Sequence, residues 1–191
     1  MATRSGERKN QILQVLAEML QAPKSEKITT AALAARLDVS EAALYRHFAS
    51  KAQMYEGLIG FVEETIFGLI NKISTEQESG LKQTHAIAAM LLSFAEKNPG
   101  MTRVLIGDAL VNEDERLQAR INQLHDRLEA TLKQSLRLAL TQGEIDKDAD
   151  ANAQANLMLA YIIGRWHQYA KSGFKRLPTE LWQKQGPMLL G

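Results

Sequence analysis

The densest set of chemistry-bearing residues in this 191-residue chain lies between Thr29 and Lys51. Thr29, Thr30, Ser40, Tyr45, His47 and Lys51 are donors of the kind that meet phosphate oxygens. Glu41, Ala42, Ala43 and Arg46 are of the kind that meet base edges: an arginine fork pairs with guanine, and an alanine methyl touches a thymine methyl. Lys51 opens a predicted helix whose first N–H groups favour an anion. The segment ITTAALAARLDVSEAALYRHFASK positions these groups on two short helices joined by a tight turn. Leu33, Ala34 and Leu37 face inward from the first helix, Leu44 and Phe48 from the second, and Val39 plugs the turn. Asp38 occupies the turn itself, where Asp tolerates left-handed backbone better than most residues. The pattern reads as a helix-turn-helix, whose second helix enters a major groove of double-stranded DNA with its N-terminal residues at base edges. The plainer reading of the apolar spacing alone is a helix corner capped by Thr and Ser.

Catalytic chemistry finds less to work with. The four histidines are His47, His85, His125 and His167. His125 and Glu129 are four residues apart, a spacing that can hold a metal, but two ligands do not make a site. His167 beside Trp166 reads as a packed interface histidine. Gly-rich phosphate loops, nucleophile elbows and paired-carboxylate settings are missing from the sequence. The chain has no cysteine, which excludes a disulfide scaffold, a thiolate zinc site and a cysteine nucleophile. The expectation is a protein that is not an enzyme, with no cofactor and no metal. No apolar run approaches the ~20 residues that span a bilayer. Met1 to Asn10 is too polar for a secretory signal, so the expected location is the cytoplasm.

The elements that must carry these residues are helices. Ile12, Val15, Leu16, Met19 and Leu20 repeat at spacings of three and four, as do Leu58, Val62, Ile66, Leu69, Ile70 and Ile73. Ile121, Leu124, Leu128, Leu132 and Leu136 form a third stripe; Leu157, Tyr161, Ile162, Trp166 and Tyr169 form a fourth. The fold class is therefore all-α, with about nine helices near 7–21, 30–37, 41–48, 51–73, 82–97, 101–111, 114–141, 149–172 and 178–189. Ser40 and Ser50 are expected N-caps, Gly143 an expected C-terminal stop, and Pro23, Pro99, Pro178 and Pro187 punctuation. Short helices followed by long ones suggest a helix-turn-helix domain over residues 1–50 and a larger helical body over 51–191. Charge divides the same way. Residues to Lys51 hold eight basic and five acidic side chains, a net +3; the remainder holds fifteen and seventeen, a net −2. The overall +1 hides a basic head on a slightly acidic body.

Leu44-Tyr45-Arg46-His47-Phe48-Ala49-Ser50-Lys51 resembles the string that closes the recognition helix of the TetR family of bacterial regulators, and the nine-helix layout is similar to that family's. Asp38 departs from the glycine frequent in that turn. The resemblance extends to FAEKNPGMTRVLIGDALVNEDERLQARINQL, Phe94 to Leu124, which looks like the branch of the family that antagonises cell division from the nucleoid. It covers roughly residues 7–140 and leaves the last stretch less distinctive. It implies a homodimer that binds palindromic chromosomal sites and, while on DNA, engages the tubulin-like GTPase FtsZ. In that branch the fourth helix and the end of the fifth hold the FtsZ tail, at positions matched here by Phe61, Thr65, Lys72, Lys97 and Asn98. Leu69 departs from an arginine carried there, with Lys72 the neighbouring cation. From the residues alone, Phe61 lies about 120° off the apolar stripe of its helix, and either packs on another helix or floors a groove. The resemblance also implies a four-helix dimer bundle built from the last two helices, with Leu157, Tyr161, Ile162, Trp166, Tyr169 and Trp182 at the interface; internal packing is the alternative. The commonest role in the family is a ligand-responsive repressor. Phe67 and Phe94 would then line a closed cavity among residues 82–141 rather than fill a core.

Overall fold

The computed structural model describes residues 4–22 and 28–190; Pro23 lies outside them. The described residues form nine α-helices and no strand. They are α1 (Arg4–Met19), α2 (Thr30–Arg36), α3 (Glu41–Tyr45), α4 (Lys51–Glu76), α5 (Gly80–Lys97), α6 (Pro99–Leu105), α7 (Glu115–Gln142), α8 (Ala151–Lys171) and α9 (Trp182–Leu190). A 3-10 turn, Asp108–Leu110, stands between α6 and α7.

Side chains of the expected kind begin these helices. Thr29, Ser40 and Ser50 each accept a backbone N–H from the first turn of α2, α3 and α4. Ser79, Asp114 and Asp150 do the same for α5, α7 and α8. Each such cap is worth about 1 kcal/mol, because it satisfies a donor the helix cannot. Gly143 ends α7 in the left-handed conformation at φ 70°, as its position suggested. Asp38 takes φ 53° in the turn between α2 and α3, so the turn accommodates this residue in place of glycine.

At three helices the bounds depart from the sequence expectation in ways that matter. The sixth helix starts at Pro99, whose missing N–H costs nothing in a first turn, and it stops at Leu105 instead of running to 111. Gly107 then turns left-handed at φ 77° and redirects the chain into the 3-10 turn. α3 ends at Tyr45, which leaves Phe48 to tuck in from the turn that follows. α9 begins at Trp182 and carries Pro187 within it, so that proline does not mark an end.

Leu33, Ala34, Leu37, Leu44 and Phe48 close the helix-turn-helix over Ile12 and Leu16 of α1, all buried. The body buries Leu91 and Leu92 of α5, Leu124, Leu128 and Leu132 of α7, and Met158, Ile162 and Trp166 of α8, all fully enclosed. Burying one such aliphatic side chain is worth about 1.5–3 kcal/mol. Trp166 Nε1 donates to the Leu91 carbonyl at 3.2 Å, so the largest side chain of this core also bridges α8 to α5.

α4 packs on α1 of the first part and is fastened to α7 of the body. Its first residue, Lys51, meets Glu113 ahead of α7, and Arg120 of α7 donates to Glu63 at 2.7 Å and to the Glu56 carbonyl at 3.0 Å. α6 provides a second tie. A Cβ built at Gly100 would stand 2.0 Å from the Ala17 carbonyl oxygen, so α6 approaches α1 as closely as backbones allow.

A candidate DNA-binding surface and an adjoining groove

Leu44 and Phe48 turn one side of α3 into the core, and this fixes what the other side shows. Glu41, Ala42, Tyr45 and Arg46 are exposed, while Ala43 and His47 are half-buried. Thr29 and Ser40 use their hydroxyl oxygens as helix caps, at 3.1 Å to Ala32 N and 3.2 Å to Ala43 N. Their O–H hydrogens stay free to donate. The residues named from the sequence thus share the α2–α3–α4 end of the molecule.

Three of them are engaged in ways the sequence did not suggest. The Thr30 hydroxyl donates to Glu41 Oε2 at 2.5 Å, which pins the acidic side chain at the start of α3 to the start of α2. Lys51 Nζ donates to Glu113 Oε1 at 2.5 Å and lies 5.6 Å from the Tyr55 ring centre. Burial, and then the Glu113 charge, push the Tyr55 hydroxyl well above its ordinary pKa.

Beside this surface runs a groove of about 440 Å³ between α1, α4 and the α5–α6 junction. Leu13, Ala17, Leu58, Phe61 and Met101 form its apolar lining, and Asn10, Gln14, Glu18, Gln21 and Asn98 its polar lining. Phe61 is 51% exposed, so it is not packed beneath another helix. Of the five groove residues named from the sequence, Phe61 and Asn98 line it. Asn98 is half-buried and donates through Nδ2 to the Phe94 carbonyl at 2.8 Å, which orients it at the mouth. Thr65 follows one turn along α4, its hydroxyl on the Phe61 carbonyl at 2.8 Å. Lys97 is exposed next to Asn98. Lys72 lies on the same stripe of α4 as Phe61 but about 16 Å further along, beside Glu76 at 3.9 Å. The α1 side of the groove was missed, because the polar face of an amphipathic helix carries no mark of what stands opposite.

The expected dimer residues need correction. Ile162, Trp166, Tyr169 and Trp182 are buried within their own chain, Trp166 to 0% exposure. The tryptophan is claimed by Leu91, and the Tyr169 hydroxyl donates to the Glu96 carbonyl at 2.9 Å. Tyr161 is half-buried and donates to Gln185 Oε1 at 2.7 Å. Leu157, at 55% exposure, is the one of the six that stands clear of its own chain. It belongs to a second face of α8, with exposed Ala153, Ala160 and Gly164 at spacings of three and four. Exposed Leu177, Leu181 and Met188 extend the apolar surface into α9 and the segment before it.

His125 is no metal ligand in this geometry. Burial lowers its pKa, its ring sits 6.2 Å from that of Trp166, and Glu129 accepts from Asn156 at 3.0 Å. Among the described residues no group of three or more metal-type side chains converges. His167, read above as a packed interface histidine, is exposed on the single chain. No helix among the described residues is long and apolar enough to cross a membrane.

A short-turned helix pair at one end of an all-helical body is the arrangement found in helix-turn-helix DNA-binding regulators. Residues 12–58 match the model for bacterial regulatory proteins of the tetR family, and residues 70–191 that for the SlmA-like, tetracyclin repressor-like C-terminal domain. The nucleoid occlusion factor SlmA of Idiomarina loihiensis is 49% identical over 185 residues, 97% of this chain and 94% of that protein. That of Alteromonas mediterranea is 50% identical over 184 residues, 96% of this chain and 94% of that protein. The chain belongs to the TetR family of DNA-binding regulators, in the branch of the nucleoid occlusion factor SlmA. The likeness runs through α8 and α9, which the sequence reading had found less distinctive. Among solved structures, the fatty acid degradation regulator FadR of Bacillus halodurans superposes with a TM-score of 0.81 at 14% identity, covering 99% of this chain and 97% of that one. FadR of Bacillus subtilis, solved in complex with stearoyl-CoA, gives 0.77 at 15%, covering 95% and 97%. These two share the fold.

Proposed function

We propose that this protein acts as a nucleoid occlusion factor. As a homodimer it binds palindromic chromosomal sites through α3 and, in that state, holds the tail of FtsZ and antagonises ring assembly over the nucleoid. The observation that carries the FtsZ reading is the groove beside Phe61. It is open to solvent and lined by both apolar and polar side chains, as a site for an extended peptide must be. Phe61 is the central anchor, Asn98 a backbone partner at the mouth, and Lys97 the cation for an acidic tail. Thr65 braces the turn below Phe61, and Lys72 offers charge further along α4.

On DNA, Tyr45, His47, Thr29 and Ser40 donate to phosphates, and Arg46 with Ala42 and Ala43 reaches base edges. Glu41, fixed by Thr30, presents an acceptor suited to a cytosine amino group. The dimer is built on the second face of α8, through Leu157, Ala153, Ala160 and Gly164, and on α9 through Met188. Residues 1–50 serve as the DNA-binding unit and 51–191 as the body, and the protein works in the cytoplasm at the nucleoid. Its role is binding and not catalysis. The well-filled interior around Trp166, Leu91 and Leu128 supports a protein partner over an enclosed small molecule.

The experiment is binding of an FtsZ C-terminal peptide by fluorescence anisotropy, with and without a palindromic duplex selected by the wild-type chain. Binding is expected to be tighter with duplex and to be lost in Phe61→Ala. Absence of binding under both conditions refutes the division reading and leaves a DNA-binding regulator of another process.

A further inference from the structure

We infer that Glu113 is a latch on Lys51, one that a DNA phosphate must displace, so that binding DNA releases the loop in front of α7 from α4. The inference rests on the reading of the α2–α3–α4 end as the DNA surface.

Lys51 is the first residue of α4, directly after the Ser50 cap, at the edge of the proposed DNA surface. Its Nζ meets Glu113 Oε1 at 2.5 Å. The side chains are 19% and 11% exposed, so water screens the pair little. Tyr55, buried beside both, contributes its ring face to the ammonium at 5.6 Å. Glu113 reaches Lys51 from 62 residues away and fastens the first residue of α4, next to the DNA-binding unit, to the loop ahead of α7.

A lysine cannot serve Glu113 and a phosphate fully at once. When a phosphate draws Nζ outward, Glu113 is left as a carboxylate with little water and no cation, which is costly unless it moves. The local backbone allows that movement over a short span. Val111 is strongly exposed, and Asn112 sits in the left-handed region at φ 64°. On one side the 3-10 turn is anchored at Asp108, paired with Lys171 of α8 and with Arg103 of α6 at 3.7 Å. On the other side Asp114 caps α7, accepting from Arg116 N at 3.0 Å. Release of Glu113 therefore swings residues 111–113 between two fixed points. The state of the DNA surface is thereby registered on the body.

The test uses the full chain and a labelled duplex recovered by selection with wild type, titrated by anisotropy over a range of salt. E113Q keeps the shape and removes the competing charge. It is expected to bind about fivefold more tightly per subunit, the upper range for a partly exposed ion pair. Its log–log salt slope is expected to stay near that of wild type, because Lys51 meets the phosphate in both complexes. In the K51Q background the same change is expected to do nothing. E113D retains the charge but withdraws it, and is expected to fall between wild type and E113Q; it serves in place of E113Q should that variant not fold by circular dichroism. Unchanged affinity in the variant read overturns the latch. An equal gain with K51Q also overturns it, since any lost negative charge near DNA would then suffice. If wild type binds no duplex, the DNA reading of this surface fails and the latch with it. A wild type that binds beside an inert E113Q refutes the latch alone.

Discussion

The close backbone approach of α6 to α1 makes a sharp prediction. A Cβ at Gly100 would lie 2.0 Å from the Ala17 carbonyl oxygen and 3.2 Å from Leu20 Cβ. The first obstacle is backbone, so no rotamer change relieves it, and α6 must part from α1. Overpacking of this kind costs about 1–3 kcal/mol, and a backbone obstacle sets the upper end, near ~3 kcal/mol. For a chain of this length that lowers the melting temperature by about 6–12 °C. Gly68 provides the matched control. It lies inside α4, with nothing within 4 Å of its Cβ position. There alanine removes only the entropy penalty of a helical glycine and stabilises by about 0.5–1 kcal/mol, raising the midpoint by about 1–4 °C. The assay is thermal unfolding of Gly100→Ala and Gly68→Ala by circular dichroism, at one protein concentration and one salt. Equal shifts in the same direction, or a Gly100→Ala midpoint equal to wild type, would refute the claim that α6 and α1 meet backbone to backbone.

Two further predictions follow from the surfaces. Leu157→Glu places a charge on the exposed face of α8 and is expected to convert a dimer to a folded monomer in sedimentation equilibrium; a persistent dimer would move the interface elsewhere. Acid is expected to destabilise the fold through carboxylates at helix ends. Hydrogen bonds from the Arg116 side chain, then its backbone, hold Asp114 down to about 2. Ser79 and the Leu81 N–H lower Glu144, and the Ala153 and Asn152 N–H groups lower Asp150. A carboxylate whose folded pKa is depressed contributes stability above its unfolded value, near ~4, and loses it as pH falls toward the folded value. The melting temperature should therefore fall between about pH 5 and pH 2, and less so in Glu144→Gln; a flat profile over that range contradicts these caps.

The buried tryptophan shows how a correct local reading can miss its use. Spacing placed Leu157, Tyr161, Ile162, Trp166 and Tyr169 on one helix, and they are on one helix. α8, however, has two apolar faces. Aromatic bulk drew attention to the face that its own chain covers, whereas the face left open is made of Ala153, Leu157, Ala160 and Gly164. Small residues at interfaces allow close approach and leave little signal in hydrophobicity. Leu69 is a similar case: it fits the apolar period of α4 and is nonetheless exposed.

The sequence by itself determined the elements and the head. Helix periodicity, the Thr29, Ser40 and Ser50 caps, the Asp38 turn and the Leu44-to-Lys51 string act within a few residues of one another, so they are legible without tertiary structure. The family membership that the comparisons bear out was legible for the same reason. Tertiary structure alone decided which groups meet across long stretches of chain. It brought Glu113 to Lys51, set α1 opposite Phe61 to complete the groove, and chose which face of α8 to bury. Such contacts are set by the summed packing of all nine described helices, where each apolar face competes for the same interior. No local spacing records which one wins.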